Sequence, residues 1–154
     1  MKKLRSYQKV EASEATDQRV VKLAKIPKNL QHALQLAETS DYPNYRLGAI
    51  ISTRKNSPPV SMGVNRFKAT PLQLKFSANT VDDDHLSTHA EIDAISRCRV
   101  SDLQGSHIFV ARVTRTGKWG NSRPCSGCMR ALRHFGVRYV YYYQSGIFYR
   151  EQIG

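Results

Sequence analysis

The chain has 154 residues with 24 Lys and Arg against 12 Asp and Glu, which gives a formal net charge of +12. This length suits one compact domain with its own core, and three cysteines, an odd count, argue against a disulfide framework. No apolar run follows the basic start at residues 1–5, which argues against a secretory signal or a membrane span. We therefore expect a single domain over residues 1–154 in a cytoplasmic protein.

The positive charge is concentrated at the two ends of the chain. Residues 1–28 carry eight basic and three acidic residues, residues 29–111 carry eight of each, and residues 112–154 carry eight basic and one acidic, giving +5, 0 and +7. If both ends fold onto one face, they form a positive surface that attracts phosphates and polyanions. The alternative is ordinary solubilising charge.

The first half of the chain predicts a helix and a pair of strands. Residues 13–25, within the basic segment 1–28, are expected to form a first helix or an arm. A helix follows Asn29, because one apolar face at the spacing i, i+3, i+4, i+7 is formed by Leu30, Ala33, Leu34 and Ala37. Two short apolar runs, 47–52 and 60–64, predict a hairpin of strands joined by the polar stretch 53–59.

The second half predicts alternating helices and strands. A helix is expected over 89–99 after the capping residue types Ser87 and Thr88, then a strand over 107–114, a helix over 126–135 ended by Gly136, and a strand over 137–143. Only eleven residues follow Tyr143, fewer than a crossover to a parallel strand requires, so a last strand at 147–152 should run antiparallel after a turn at 144–146. These elements predict an α/β fold, a five-stranded mixed sheet covered by helices on both faces in three α/β/α layers.

Two segments supply candidate metal ligands. His89-Ala90-Glu91 and Pro124-Cys125-Ser126-Gly127-Cys128 offer one imidazole and two thiols, three of the four ligands of tetrahedral zinc, and the fourth position stays open for water, as in catalytic sites. Helix N-termini at both segments favour thiolates between them. Residues two apart do not share a helical face, so His89 and Glu91 can both serve a metal only at the open end of that helix. Glu91 would then take a proton from the zinc-activated water. We expect Cys98 to be a core cysteine and not a fourth ligand.

Together, H-x-E and P-C-x-x-C resemble the signature of the cytidine deaminase superfamily of zinc deaminases. The resemblance implies the three-layer fold, one catalytic Zn²⁺ held by His89, Cys125 and Cys128, and hydroxide attack at C4 of a cytosine. It also implies that Glu91 passes protons to the ring nitrogen and to the leaving ammonia. Two alternatives are a redox C-x-x-C pair, which would normally lie early in a βαβ unit, and a catalytically silent zinc module.

The substrate-binding residues are assigned from resemblance and from position. Gly63-Val64-Asn65 resembles the superfamily's G-x-N, whose asparagine usually contacts the sugar, although Asn65 is alternatively a turn residue. Free-nucleoside deaminases typically place a glutamate two positions later, whereas this chain has Arg66 and then Phe67. Trp119, in the loop 116–123, either stacks on a neighbouring base or closes a small pocket. Near the proposed ligands we also assign to substrate binding Ala90, Arg123 and Pro124.

These features favour a cytosine deaminase that acts on single-stranded nucleic acid, because the basic ends, Arg66 and the Trp119 loop suit phosphate-linked neighbours. The alternatives are a free-nucleotide or nucleoside deaminase, acting on dCMP or cytidine, and a non-catalytic zinc-containing nucleic-acid-binding module. The run Asp82-Asp83-Asp84-His85 is interpreted as a solvated loop. No membrane partner is expected, and a homo-oligomer is compatible with the resemblance.

Overall fold

A computed structural model describes residues 19–77 and 87–154. The helices are α1 (Lys28–Ala37), α2 (Pro71–Ser77), α3 (Ala90–Ser96), α4 (Val100–Leu103) and α5 (Ser126–His134). The strands are β1 (Val20–Lys22), β2 (Arg46–Ser52), β3 (Pro59–Val64), β4 (His107–Val113), β5 (Trp119–Gly120), β6 (Tyr139–Gln144) and β7 (Ile147–Gln152).

The strands form one mixed sheet in the order β1-β7-β6-β4-β2-β3, with β5 paired to the end of β4. β2 is antiparallel to both β3 and β4, and β6 is parallel to β4, so β3, β4 and β6 point in the same direction. Their carboxyl ends therefore share one edge of the sheet. β7 is antiparallel to β6, as predicted, and the left-handed backbone of Ser145 (φ 50°) and Gly146 (φ 89°) makes the turn between them.

Helices cover both faces, which confirms the predicted three layers. Successive residues of a strand point to opposite faces, and in β4 they alternate between two apolar clusters. Ile108 and Val110 pack with residues of α3 and α5, whereas Phe109 and Ala111 pack with residues of α1. The core thus consists of an α3/α5-side cluster and an α1-side cluster.

The strand count and the start of the chain differ from the prediction. Within the described residues the sheet has seven strands where five were expected, the additions being β1 and the two-residue β5. The expected helix or arm over 13–25 is wrong in its described part, because Val20–Lys22 is a strand antiparallel to β7. Two adjacent β-branched residues suit a strand that covers the otherwise open edge of β7. Residues 13–18 lie outside the described residues.

The region before the first proposed ligand contains a helix that the sequence did not predict, α2. The predicted helix over 89–99 is shorter and ends at Ser96, with α4 beginning at Val100. Its N-cap is His89, because Thr88 pairs with Arg66 through their backbones. The acidic run 82–85 lies outside the described residues.

Within residues 19–77 and 87–154, no helix is both long enough and apolar enough to span a membrane.

Candidate metal and catalytic centre

The three proposed metal ligands come together where α3 and α5 begin. His89 is the N-cap residue of α3, Cys125 is the N-cap residue of α5, and Cys128 lies in the first turn of α5. His89 Nδ1 lies 3.6 Å from Cys125 Sγ and 3.3 Å from Cys128 Sγ. The ligand atoms of all three residues lie within 4.8 Å of one another.

This spacing fits one zinc ion. Tetrahedral zinc with Zn–S of about 2.3 Å and Zn–N of about 2.0 to 2.1 Å separates sulfur from nitrogen by about 3.6 Å and the two sulfurs by about 3.8 Å. The two sulfur–nitrogen distances, 3.6 and 3.3 Å, agree with the first value. Cys98 is not part of the cluster, as predicted, but it is only partly buried and packs against the α3/α5-side core without belonging to it. Three protein ligands leave the fourth position open.

The cluster also favours the thiolate form that metal binding requires. A hydrogen bond from Cys128 lowers the pKa of Cys125 from 9.0 to about 4, and a hydrogen bond with His89 contributes, whereas burial acts in the opposite direction. Both helix N-termini add partial positive charge at this position. The Cys125 side chain is therefore a thiolate near neutral pH, the form that binds a cation.

Glu91 lies in the first turn of α3 and is 3% exposed. The pKa of its carboxyl is raised from 4.5 to about 7, mainly by burial. The electrostatic interaction with His89 lowers this pKa, and the interaction with Cys125 raises it. A carboxyl group with this pKa can accept a proton and release it again near neutral pH. Because His89 precedes the helix and does not lie within it, His89 and Glu91 can face the same ligand at the open helix end, as the sequence required.

Asn65 follows β3 and is 7% exposed. Its Oδ1 accepts hydrogen bonds from the Leu47 amide at 2.9 Å and from Ser40 Oγ at 2.7 Å, and its Nδ2 donates to the Tyr45 carbonyl. These bonds connect the end of β3 to β2 and to the segment before it. The sugar contact assigned to Asn65 stays a prediction, and the structure adds a role in joining these two segments.

Arg66 is held by a buried carboxylate. Its Nε donates to Asp93 Oδ2 at 3.3 Å, and the Arg66 side chain is 43% exposed while that of Asp93 is 5% exposed. Arg97 and the Val64 amide also donate to Asp93, at 3.1 and 3.0 Å. A substrate phosphate would therefore share Arg66 with Asp93.

Arg123, just before the ligand loop, makes a bidentate ion pair with Glu151. Nε and Nη2 lie 3.1 and 3.0 Å from the two carboxylate oxygens, and Tyr142 donates to the same carboxylate at 2.9 Å. Among the other assigned residues, Ala90 is fully buried in α3 and Pro124 is buried directly before Cys125. Their substrate contacts stay predictions.

Trp119 packs away from the metal ligands. Its ring lies 4.9 Å from that of Phe148 in an edge-on contact and 6.0 Å from that of Tyr143. It belongs with the α1-side cluster, on the opposite face of the sheet from α3 and α5. Base stacking by Trp119 thus has less support from the structure than from the sequence.

The model of one protein family, the cytidine and deoxycytidylate deaminase zinc-binding region, matches residues 24–144. The chain belongs to this family. The match includes His89, Glu91, Cys125 and Cys128, and it confirms the resemblance drawn from H-x-E and P-C-x-x-C. A search of curated protein sequences finds no significant match.

Solved structures of deaminases are among those similar to this chain. Cytidine deaminase from Mycobacterium tuberculosis is 16% identical with a TM-score of 0.47, over 84% of this chain and 93% of that one. The dCMP deaminase of cyanophage S-TIM5, in complex with dCMP and dUMP, is 19% identical with a TM-score of 0.42, over 75% and 81%. Acinetobacter baumannii RibD is 20% identical with a TM-score of 0.42, and the match covers 72% of this chain but 25% of RibD. This deaminase-family chain therefore spans about a quarter of the RibD chain.

One residue that positions a proposed ligand of this deaminase-family site was not predicted from the sequence. Gln73 in α2 is 2% exposed; its Oε1 accepts the His89 amide hydrogen at 2.8 Å and its Nε2 donates to Ser77 Oγ at 2.5 Å. His89 is an N-cap residue, so its backbone N–H has no partner within the helix. The bond to Gln73 satisfies this N–H group of the proposed metal ligand. A buried glutamine in a helix that had not been predicted carries no motif by which it could have been found.

Proposed function

We propose that this protein hydrolyses the exocyclic amino group of cytosine, giving uracil and ammonia, and that its substrate is cytosine within single-stranded nucleic acid. The observation that carries the proposal is the grouping of His89, Cys125 and Cys128 at two helix N-termini with the buried Glu91 beside them. A redox pair of cysteines has no need of His89 at 3.3 to 3.6 Å from both sulfurs. A purely structural zinc module has no need of a buried glutamate that interacts electrostatically with two of its ligands.

The chemistry assigned to Glu91 is the one that the family resemblance implies, and the burial of Glu91 and its raised pKa support it. Zinc held by His89, Cys125 and Cys128 supplies the Lewis acidity that makes water a nucleophile near neutral pH. Glu91 accepts a proton from the attacking water and delivers it to ring atom N3 as the new C4–O bond forms. Glu91 then moves the second proton to the amino nitrogen, so that the C4–N bond breaks and ammonia leaves. Water and cytosine are thereby converted to uracil and ammonia with no other reactant.

The preference for a polymeric substrate is supported by charge. β1, within residues 19–28, pairs with β7, within residues 112–154, so parts of two basic segments lie side by side where they would suit several phosphates. Arg66 and Trp119 support a polymeric substrate less than the sequence suggested. Arg66 already pairs with Asp93, and the Trp119 ring already packs against the Phe148 ring.

The test is ammonia release by the zinc-loaded protein on a cytosine-containing single-stranded oligonucleotide, on dCMP and on cytidine. Glu91→Gln should lower turnover by a factor of about 10² to 10⁴, the usual contribution of a general acid–base, with bound zinc unchanged. Glu38→Gln replaces an exposed carboxylate and should leave turnover unchanged. Full activity of Glu91→Gln would eliminate the proposed role of Glu91.

The substrate series separates the remaining alternatives. Turnover of the oligonucleotide with little turnover of dCMP supports the proposal. Turnover of dCMP alone would instead make this a nucleotide-pool enzyme. If none of the three compounds releases ammonia while the protein binds zinc and nucleic acid, a non-catalytic binding module is the better description.

A further inference from the structure

We propose that Tyr42 and Phe67 form an aromatic platform next to the metal ligands, on which a base neighbouring the target cytosine of a single-stranded nucleic acid stacks. That the neighbour belongs to a target cytosine depends on the proposed function. The platform itself is argued from its own geometry.

The two rings are already arranged as a stack. Their centroids lie 4.7 Å apart at an interplanar angle of 21°, and Phe67 is 55% exposed while Tyr42 is partly buried. Phe67 is thus fixed in orientation by Tyr42 and still presents much of its surface to solvent. A flat aromatic surface can stack with any of the four bases, because each base has a π-face.

Short hydrogen bonds hold Phe67 close to the first metal ligand. The residues on either side of it, Arg66 and Lys68, both bond to Thr88, which directly precedes His89. Arg66 and Thr88 exchange two backbone hydrogen bonds of 2.9 Å, and Thr88 Oγ1 donates to the Lys68 carbonyl at 2.5 Å. The chain therefore fixes the platform relative to His89 through a single intervening residue.

The segment that carries Tyr42 is attached to the same framework. Ser40 Oγ donates to the Asn65 carbonyl at 2.7 Å, the Tyr42 amide donates to Ser40 Oγ at 3.1 Å, and Asn65 Nδ2 donates to the Tyr45 carbonyl. Both halves of the platform are thus joined through Asn65, so stacking a base requires little further ordering of the protein.

Cations next to the platform suit the phosphates that join the bases of a strand. Lys68 is exposed beside Phe67, and the Arg112 guanidinium lies 4.1 Å from the centre of the Tyr45 ring, which is 45% exposed. Asp41 adjoins Tyr42, so the positive charge comes from the Phe67 and Tyr45 sides. Aromatic rings interleaved with cations are the usual surface for single strands. Trp119, by contrast, is packed against Phe148 and Tyr143.

The test uses a cytosine-free single-stranded oligonucleotide that contains 2-aminopurine, whose fluorescence is quenched on stacking. Binding to the zinc-loaded protein should quench this fluorescence. Phe67→Leu, which keeps an apolar side chain but removes the π-face, should weaken binding at least about fivefold and reduce the quenching. Phe67→Trp should retain both. Val100→Ala removes exposed apolar surface on α4 and should change neither.

The result also separates this inference from the proposed function, which is followed as uracil formation in a cytosine-containing oligonucleotide. Quenching that depends on Phe67 without any uracil would uphold the platform and reject the function. Uracil formation together with unchanged binding and quenching in Phe67→Leu would reject the platform and uphold the function. Absence of oligonucleotide binding, or a change of oligomeric state in Phe67→Leu with oligonucleotide binding unaltered, would also overturn the platform.

Discussion

Asp93 connects α3 to the strand that leads into the site. It is 4% exposed, its Oδ2 accepts hydrogen bonds from the Val64 amide at 3.0 Å and from Arg66 at 3.3 Å, and its Oδ1 accepts one from Arg97 at 3.1 Å. It lies two residues after Glu91 in α3. One buried carboxylate thus fixes the end of β3 and two arginines relative to the helix that carries the proposed proton carrier.

We predict that Asp93→Asn lowers the free energy of unfolding by about 1 to 3 kcal/mol. The asparagine amide lacks the negative charge with which Arg66 and Arg97 pair. Its N–H group also faces one of the three donors that the carboxylate accepted from. Urea unfolding of the zinc-loaded protein measures the change. Asp102→Asn is the matched control, because its partner Arg99 has a side chain that is 83% exposed and such surface pairs contribute about 0 to 1 kcal/mol. Equal stabilities of the two variants would contradict the role given to Asp93.

The site residues that could be proposed from the sequence are those whose chemistry restricts the residue type. Few side chains bind zinc, so His89, Cys125 and Cys128 could be proposed as ligands from their spacing, and Glu91 as the proton carrier from its place beside His89. Gln73 and Asp93 act through hydrogen bonds that many polar residues could make, and their partners are distant in sequence. The prediction for Trp119 was weakened because an exposed-looking aromatic in a glycine-rich loop has neighbours that only the folded sheet supplies.

At the scale of elements, two glycines allow the helices to approach the sheet closely. A Cβ at Gly63 in β3 would lie 2.7 Å from the Ala90 carbonyl oxygen and still closer to the Ala94 amide nitrogen, both in α3. A Cβ at Gly48 in β2 would lie 2.8 Å from the Ala37 amide nitrogen of α1 and closer to the Ala33 carbonyl oxygen. These are backbone contacts, so an added methyl group must displace a helix.

We predict that Gly63→Ala weakens zinc binding and that Gly48→Ala does not, although both should cost about 1 to 3 kcal/mol of stability by overpacking. Of the two helices that these glycines contact, α3 follows the proposed ligand His89 and contains Glu91, whereas α1 lies on the opposite face of the sheet. Competition with a chromogenic chelator measures the zinc affinity, and thermal unfolding measures the stability. If both variants bind zinc equally well, the close contact of β3 with α3 does not set the geometry of the site.

The elements found from the sequence are those with strong periodicity or with a restricted chain length. The prediction of an antiparallel β7 was correct because the connection between Gln144 and Ile147 is too short for a crossover, and that of α1 was correct because its apolar face repeats at helical spacing. β1 was mistaken for a helix or an arm, since three residues show no period and form a strand only by pairing with β7, more than a hundred residues away in sequence. α2 was missed because its seven residues begin at a proline and are short.

At the scale of the whole molecule, the fold joins the two basic segments. Residues 19–28 contain four basic and no acidic residues, for a charge of +4, and residues 112–154 have a charge of +7. Residues 1–18 contribute +1, with four basic and three acidic residues, so 4 + 7 = 11 of the 12 net charges belong to the two segments that β1 and β7 bring together. The sequence showed the imbalance at both ends, but only the strand pairing shows that these segments are adjacent.

We predict that this adjacency is visible in the salt dependence of binding. For single strands, the logarithm of the affinity falls with the logarithm of the salt concentration by about 0.7 for each phosphate contacted, so an oligonucleotide that contacts several phosphates should give a slope of about −2 or steeper, and dCMP a slope near −1. Reversing two exposed cations with Lys25→Glu and Lys28→Glu should make the oligonucleotide slope shallower by about 1 and leave that of dCMP unchanged. The control pair, Lys75→Glu and Arg99→Glu, makes the same change of charge outside the two basic segments, so an equal effect of both pairs would mean that only the net charge matters. A smaller effect of the control pair would instead show that the polyanion binds near the pairing of β1 with β7. Reversing a cation makes the salt-dependence slope shallower only if that cation contacted a phosphate.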